Sequence, residues 1–253
     1  HRSGDRFVYK GPKGDLIDEE ATLERIRKMA LPPAWERVWI CPRPNGHLQA
    51  TGIDTKNRKQ YRYHENWNAI RSETKFFRMI AFGERLPKLR ARLDRDLRQR
   101  ELTRDKVIAI ALSVMEQTLI RVGNAAYEKE YGSYGLTTLK DRHVRVDNQG
   151  IKFRFKGKKG IFHDITLRDR RLARLVKACR DIPGKELFQY YDENGEHRSI
   201  DSGMVNDYLR QYTGEEFSAK DFRTWAGTVN ALRMLAELEP CSTEKELKKN
   251  VNT

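Results

Sequence analysis

The chain has 253 residues, 38% of them hydrophobic, so it is long enough to bury a core in one large or two modest domains. Its formal net charge of +14 is spread along the chain, which favours a nucleic-acid partner over a merely solvated basic surface. No apolar run approaches the roughly 18 residues of a membrane-spanning helix, and the N-terminus lacks an apolar signal core, so we expect a soluble, unexported protein.

The first 64 or so residues are predicted to be β-rich. A helix is expected at Glu19–Met29, before Pro32-Pro33, and a hairpin is expected to turn at Asp54–Asn57. The predicted strands of this region are Arg6–Tyr9, Val38–Cys41, His47–Thr51 and Arg58–Tyr63.

From Trp67 to about Tyr131 the hydrophobic period is helical, and we expect interruptions at Gly83 and Pro87. Lys106–Leu119 is the most apolar helix of the chain. Three short strands (143–146, 151–156 and 161–165) and three further helices (169–179, 202–212 and 220–238) are predicted to follow. The sequence thus indicates an α+β protein, with a small β-rich domain at residues 1–85 and a larger, mainly α-helical domain with a small antiparallel sheet at residues 86–253.

The three cysteines, Cys41, Cys179 and Cys241, are far apart, without CxxC spacing or nearby paired histidines. They indicate neither a disulfide framework nor a zinc site, and we expect small buried residues in a reducing compartment. The opening residue His1 and the helix-like stretch 244–249 at the other end suggest part of a longer chain.

Three basic residues stand in local contexts that suit phosphate binding. Arg121 follows the apolar helix and precedes Val122-Gly123-Asn124, Lys158 lies at a predicted hairpin tip between Gly157 and Gly160, and Arg223 lies in the first turn of a helix. Each also has a simpler interpretation. These are a helix-end arginine, a solvated turn lysine, and a charged first turn whose Phe222 and Trp225 pack inward.

The order of the motifs along the chain favours phosphate binding over these simpler interpretations. Segments 118–124, 134–140, 143–144, 155–158 and 220–225 resemble, in order and spacing, the catalytic domain of the type IB DNA topoisomerases, specifically the poxvirus-like branch found also in bacteria. Residues 52–63 are similar to the hairpin with which the N-terminal domain of that branch enters the major groove. The resemblance covers nearly the whole chain and implies a tyrosine recombinase/topoisomerase IB-like fold.

The resemblance also implies roles for individual residues. Arg121 and Arg223 match the two arginines that clamp the scissile phosphate, and Lys158 matches the general acid for the departing 5′-oxygen. The matching DNA-contacting positions are Arg58, Gln60, Tyr61 and Tyr63 in the hairpin, and Tyr127 and Lys220 in the catalytic domain. Cross-strand aromatic pairing on a sheet face is an alternative for Tyr61 and for Tyr63.

The implied activity is relaxation of supercoiled duplex DNA by transient cleavage of one strand through a 3′-phosphotyrosyl intermediate, with no ATP, metal or other cofactor. The implied partner is double-stranded DNA, bound by a monomer in the bacterial cytoplasm, at the nucleoid. None of the ten tyrosines matches the context of the family's nucleophile, which follows a Gly-His-Thr-Pro-like or Gly-Asn-Thr-Pro-like segment. We therefore expect the nucleophile beyond Thr253, after a helix beginning near Ser242, and expect residues 1–253 to bind DNA without cleaving it.

Two other classes remain open from the residues. A tyrosine recombinase or integrase shares the Arg, Lys, Arg and Tyr plan, but its second arginine usually follows a His-x-x-Arg pattern where this chain has Lys220-Asp221-Phe222-Arg223. A non-catalytic DNA-binding module would use the same cations for phosphate binding alone.

Overall fold

The computed structural model describes residues 2–3, 6–214, 216–238, 243–246 and 248. The chain divides into two compact units, residues 1–77 and 78–253. The division falls within one long helix, and the functional domain boundary after residue 85 stays a prediction. The predicted helix start at Ser242 and the predicted burial of Cys241 lie outside the described residues.

The first unit is built on a three-stranded antiparallel sheet. Ala50, in the central strand, is fully buried and packs with Ile26 and Met29 from the helix that precedes the sheet. The elements are β1 (Arg2–Ser3) paired with β2 (Arg6–Phe7), α1 (Glu20–Lys28), and the sheet β3 (Glu36–Ile40), β4 (Leu48–Ile53) and β5 (Lys59–Tyr63) in that order.

The helix α2 (Glu65–Leu97) runs without interruption through Gly83 and Pro87, so the predicted break there is wrong. From residue 79 onward its buried face carries apolar residues three or four positions apart, and this stripe faces the core of the second unit. Burial of the stripe outweighs the hydrogen bond that Pro87 removes. The stripe residues are Met79, Phe82, Leu86, Leu89, Leu93 and Leu97.

The core of the second unit is centred on α3 (Arg104–Thr118), as predicted. Every residue from Val107 to Leu112 is at most 1% exposed, because elements pack on all sides of the helix. The remaining elements are α4 (Ala125–Tyr131), the antiparallel sheet β6 (Val144–Val146), β7 (Ile151–Lys156) and β8 (Phe162–Leu167), α5 (Arg170–Arg180), the hairpin β9 (Gln189–Tyr191) and β10 (His197–Ser199), α6 (Ser202–Thr213) and α7 (Ala219–Ala236).

The α+β fold class is confirmed: a three-stranded N-terminal sheet precedes a mainly helical unit with small sheets. Cys179 is buried and Cys41 is half-buried, and both are free thiols. Among the described residues, no helix is both long and apolar enough to cross a membrane.

Candidate active site

Arg121 lies just after α3, where the chain turns sharply and comes to the surface. Leu119, the C-cap of α3, adopts a left-handed conformation at φ 55°, unusual for a residue with a branched side chain, and its N–H donates to Met115 O at 2.8 Å. Ile120 is then buried, while Arg121 is exposed. The backbone turn thus places the guanidinium at the surface within one residue of the core.

The backbone that carries Arg121 is fixed by an unusually close contact. Arg121 O accepts a hydrogen bond from Leu136 N at 2.8 Å. Gly123 is at φ 92°, and a Cβ added to Gly135 would lie 2.5 Å from Gly123 Cα and 2.6 Å from Arg121 O. No residue with a side chain fits at position 135 unless the two segments move apart, because real Cβ contacts are never that short. Two glycines therefore hold the loop of residues 119–124 against residues 134–138.

Lys158 lies at the tip of the β7–β8 hairpin, as predicted. The turn is closed by a hydrogen bond from Gly157 N to Ile161 O at 2.7 Å, and it continues as a single 3-10 turn over Lys158–Gly160. Lys156 O, next to the turn, accepts from Tyr134 N at 2.8 Å. The hairpin is thereby joined to the segment that also holds the Arg121 loop.

Arg223 lies in the second turn of α7, and the start of that helix is well anchored. The Asp221 carboxylate accepts from Ser218 N at 2.8 Å and from Ser218 Oγ at 2.9 Å, which completes a capping box. Arg78 contacts the same carboxylate at 3.3 Å. The sequence placed Arg223 in the first turn, but the helix begins at Ala219 and so puts it at the start of the second. Phe222 is buried, as the alternative interpretation of this segment expected, and Arg223 is only half-buried.

The aromatic residue after Arg223 packs against α2. Trp225 and Phe222 both contact Phe82, with ring centroids 6.4 Å and 5.2 Å apart. A Cβ added to Gly83 would lie 2.4 Å from Trp225 Cη2. The glycine that the sequence suggested as a helix break instead makes room for the indole.

Arg121, Lys158 and Arg223 line one cavity of about 90 Å³, well above the ~10–15 Å³ that a single water needs. The other lining residues are Thr118, Leu119, Ile120, Tyr134, Phe155, Gly157, His163 and Ile165. Within the described part of the chain, none of the three cationic side chains has a hydrogen-bond or ion-pair partner. Three unpaired cations around one cavity are suited to an anion.

The electrostatics of this cavity agree with its geometry. Burial lowers the pKa of Arg223, and the positive charge of Arg121 lowers it further. Burial and then the charges of Arg121 and Arg223 lower the pKa of His163, so its imidazole is neutral at pH 7. The two guanidinium groups are thus close enough to repel each other, and a bound anion would relieve that repulsion.

A larger cavity of about 310 Å³ lies elsewhere in the second unit. Its lining residues are Glu101, Leu102, Thr103, Tyr191 and Asp192, which include two acids and no base. Phosphate would be repelled there, so the smaller cationic cavity is the candidate active site.

Two of the cavity residues, Tyr134 and His163, were not identified from the sequence. The Tyr134 hydroxyl accepts a hydrogen bond from Arg142 Nη2 at 2.9 Å. His163 lies opposite Phe155 in the β7–β8 ladder, and the two rings stack with centroids 5.0 Å apart. Phe155, two residues before Gly157, pairs with His163 across the hairpin. This pairing across the predicted hairpin is the sequence signal that could have identified His163.

The predicted DNA-contacting hairpin of the first unit is organised by Asp54. Its Oδ1 accepts from Lys56 N and Arg58 N, both at 2.9 Å, and its Oδ2 accepts from Arg58 Nη2 at 2.6 Å and from Gln60 Nε2 at 2.8 Å. The bond from the Arg58 side chain is the main reason that the pKa of Asp54 falls to about 2. Among the described residues the Gln60 amide makes no other hydrogen bond, so its oxygen and its second N–H remain available, the pair that an amide uses on adenine.

The tyrosines of this hairpin lie on one face of β5. The Tyr61 and Tyr63 rings stack along the strand with centroids 6.3 Å apart, and Tyr61 is 50% exposed. The strand register places Thr51 opposite Tyr61 and Trp39 opposite Thr51. Trp39 is 48% exposed, so the face also carries an aromatic residue that the sequence did not single out.

The remaining two predicted DNA-contacting residues lie outside the cavity lining. Tyr127 is 58% exposed on α4, and Lys220 is exposed three residues before Arg223 on α7. The helix α4 is held by Lys140, whose Nζ is 2.8 Å from carboxylate oxygens of both Glu128 and Glu186. Burial lowers the pKa of Lys140, but the hydrogen bonds to these two acids outweigh it, and the net pKa is raised.

Comparison with known proteins identifies the class. Residues 64–253 match the family model for the catalytic core of eukaryotic DNA topoisomerase I, and residues 6–54 match that for the N-terminal domain of bacterial DNA topoisomerase IB. The chain is 34% identical to DNA topoisomerase 1B of Acanthamoeba polyphaga mimivirus over 257 aligned residues, covering 99% of this chain and 76% of the relative. It is 22% identical to DNA topoisomerase 1B of vaccinia virus (strain Copenhagen), covering 89% of this chain and 70% of the relative.

The chain therefore belongs to the type IB DNA topoisomerases. Its bacterial-type N-terminal domain and its viral relatives place it in the bacterial and viral branch of that family, with the poxvirus and mimivirus enzymes. The matches to topoisomerase sequences favour this family over the tyrosine recombinases.

Proposed function

We propose that this topoisomerase relaxes supercoiled duplex DNA by nicking one strand through a 3′-phosphotyrosyl bond, letting the duplex swivel and resealing the strand. The single observation that supports this is the convergence of Arg121, Lys158 and Arg223, all unpaired among the described residues, on one cavity. A phosphodiester placed there would have cations on its non-bridging oxygens and a proton donor for its leaving oxygen.

The residue roles follow from the charge changes of the reaction. A tyrosine oxygen attacks phosphorus and gives its proton to solvent, and the bond from phosphorus to the 5′-oxygen breaks. Negative charge collects on the non-bridging oxygens, where Arg121 and Arg223 stabilise it. Lys158 gives a proton to the departing 5′-oxygen and recovers it when the strand is resealed. The phosphotyrosyl bond retains the energy of the broken link, so the proposed cycle uses no ATP and no metal.

The nucleophile is proposed to lie outside residues 1–253. Among the described tyrosines, Tyr134 lines the cavity and accepts a hydrogen bond from Arg142, but its sequence surroundings do not match those of the family's nucleophile. Replacement of Tyr134 by Phe in the full-length protein should therefore leave covalent DNA adducts detectable. Residues 1–253 alone should bind duplex DNA and form none.

The hairpin of the first unit and the exposed residues Tyr127 and Lys220 are proposed to contact the duplex around the cleavage site. Asp54 orients Arg58 and Gln60, so these two side chains meet DNA from a fixed geometry. Tyr61 offers an exposed ring and hydroxyl beside them. We further propose that the enzyme acts as a monomer on chromosomal DNA in the bacterial cytoplasm.

The test is plasmid relaxation by the full-length protein with a chelator present. The wild type should remove supercoils, and Arg121→Ala and Lys158→Ala should abolish relaxation while duplex binding largely survives. Arg198→Ala is the matched charge control, since Arg198 pairs with Asp192 in the β9–β10 hairpin, away from the cavity. Persistence of supercoils with the wild type, or equal activity of all variants, would contradict the proposal.

A further inference from the structure

We infer that His163 is a positioning residue that sets the orientation of Lys158 for proton transfer. The inference rests on the proposed function, because it concerns how the proposed general acid is held. His163 lies outside the motifs that contain Arg121, Lys158 and Arg223.

The first support is the contact between His163 and the turn. A Cβ added to Gly157 would lie 2.5 Å from both Cδ2 and Nε2 of the His163 ring. The backbone of Gly157 is extended, at φ −95° and ψ −164°, a conformation open to any residue. Glycine is therefore needed at position 157 for space. The peptide that leads directly into Lys158 rests on the edge of the imidazole.

The second support is that the imidazole itself is held in place. His163 and Phe155 are paired across β7 and β8, and their rings lie nearly parallel, 23° apart. Phe155 is only 3% exposed, so it provides a fixed surface for the ring. A chain of packed groups thus runs from the core through Phe155 and His163 to the peptide before Lys158.

The third support is the positive charge of the cavity. His163 faces the same space as Arg121, Lys158 and Arg223, and the neighbouring guanidiniums favour its neutral form. A neutral aromatic ring can support the turn without adding a fourth positive charge. A lysine or arginine at position 163 would add that charge.

The chemistry of the leaving group separates this role from contact with the phosphate. With an ordinary substrate, the 5′-oxygen departs only as it receives the Lys158 proton. With a substrate whose bridging 5′-oxygen is replaced by sulfur, the bond from phosphorus to sulfur breaks and a thiolate departs without a proton, because thiols are far stronger acids than alcohols. A residue that acts through Lys158 loses its importance on the sulfur substrate, whereas a residue that stabilises the non-bridging oxygens keeps it.

The experiment measures single-turnover cleavage by the full-length protein on both substrates. Lys158→Ala should lose about 10²- to 10⁴-fold on the oxygen substrate and recover on the sulfur substrate. His163→Ala should lose about 10- to 100-fold and recover in the same way, because a misplacement of ~1 Å costs about that much. His163→Phe keeps a flat ring against Phe155 and should retain most of the rate. Thr166→Ala, exposed on the same strand, is the control and should match the wild type.

The outcomes separate this inference from the proposed function. If the wild type fails to cleave, the proposed function itself is wrong. If the wild type cleaves but Lys158→Ala is not rescued by sulfur, the proposed role of Lys158 is wrong, and the positioning role of His163 is wrong with it. If Lys158→Ala behaves as expected but His163→Ala cleaves both substrates at the wild-type rate, the positioning role is wrong. A His163→Ala defect that persists with sulfur, in a protein whose thermal unfolding is unchanged, would also overturn it and would indicate contact with the phosphate.

Discussion

Replacing Gly83 by alanine tests the packing that supports Arg223. In an open helix interior, glycine to alanine stabilises by about 0.8–1.0 kcal/mol. At Gly83, however, the new Cβ would lie 2.4 Å and 2.6 Å from two carbons of the Trp225 indole. Overpacking of this kind costs about 1–3 kcal/mol, so the net effect of Gly83→Ala should range from nearly neutral to a loss of about 2 kcal/mol.

Gly227 provides the matched control. It also lies inside a helix, α7, and a Cβ added there meets no atom within 4 Å. Gly227→Ala should therefore show only the stabilisation, and the two variants should differ by the overpacking cost alone, about 1–3 kcal/mol. For a unit of this size each kcal/mol shifts Tm by about 2–4 °C. Thermal unfolding followed by circular dichroism should thus place Gly83→Ala roughly 2 to 12 °C below Gly227→Ala.

The functional consequence follows from the position of Arg223, two residues before Trp225. An indole pushed away from α2 carries the second turn of α7 with it, so Gly83→Ala should slow DNA cleavage while duplex binding is preserved. Adding Trp225→Leu should relieve the overlap, and the double variant should lose less stability than the sum of the single variants. Equal melting temperatures for Gly83→Ala and Gly227→Ala would refute the reasoning, since the indole could not then occupy the described position.

Three further predictions concern charge. Arg121→Ala should lower the cleavage rate by about 10²- to 10³-fold, yet raise the Tm of the DNA-free protein, because it removes the repulsion with Arg223; a lower Tm would contradict the described repulsion. Burial, and after it the charges of Arg121 and Arg223, lower the pKa of His163 in the free protein, and a phosphate that offsets the two guanidinium charges should raise it. DNA binding should then take up a proton, and Kd should decrease as pH falls from 7 to 6, but not in His163→Asn; identical pH profiles would exclude this linkage. Asp54 has its pKa depressed to about 2, so in the folded protein its bonds to Arg58 and Gln60 should persist until the pH approaches that value; Asp54→Ala should weaken duplex binding at pH 7, measured by titration with a DNA duplex, without changing the cleavage rate of bound DNA.

Local sequence patterns predicted many of the helices and strands. The strand Ile151–Lys156 was predicted with its observed bounds, because its residues alternate between buried and exposed positions. The helices α1, α3, α5, α6 and α7 were predicted to within two residues at each end. The β9–β10 hairpin was overlooked even though Asn194-Gly195, a strong turn signal, lies between its strands.

The predicted break in α2 failed for a physical reason. Gly83 and Pro87 are poor helix formers taken one at a time, but Phe82, Leu86 and Leu89 around them are each at most 2% exposed. Burial of that stripe decides the conformation, and propensity does not. Reading the three-and-four spacing from Met79 to Leu97 as one stripe would have predicted a continuous helix.

The site was predictable only in part. Arg121, Lys158 and Arg223 were recognised from motifs, and the structure brings them to one cavity. The contribution of His163 depends on strand register, and that of Tyr134 depends on a loop contact between distant segments, which one sequence without aligned relatives does not reveal. Asp54 was assigned only to the turn, because its bond to Gln60 forms across the folded hairpin.

The contact between Gly123 and Gly135 has a consequence for how this enzyme can vary. Because main-chain atoms hold the loop that presents Arg121, most surrounding side chains are free to drift over evolution or under directed selection. The tolerance ends at Gly135, where even one methyl group would separate the two strands of backbone. In a saturation mutagenesis screen for relaxation activity, substitutions at Gly135 should be tolerated as poorly as substitutions at Arg121, although Gly135 contacts only the main chain of that arginine.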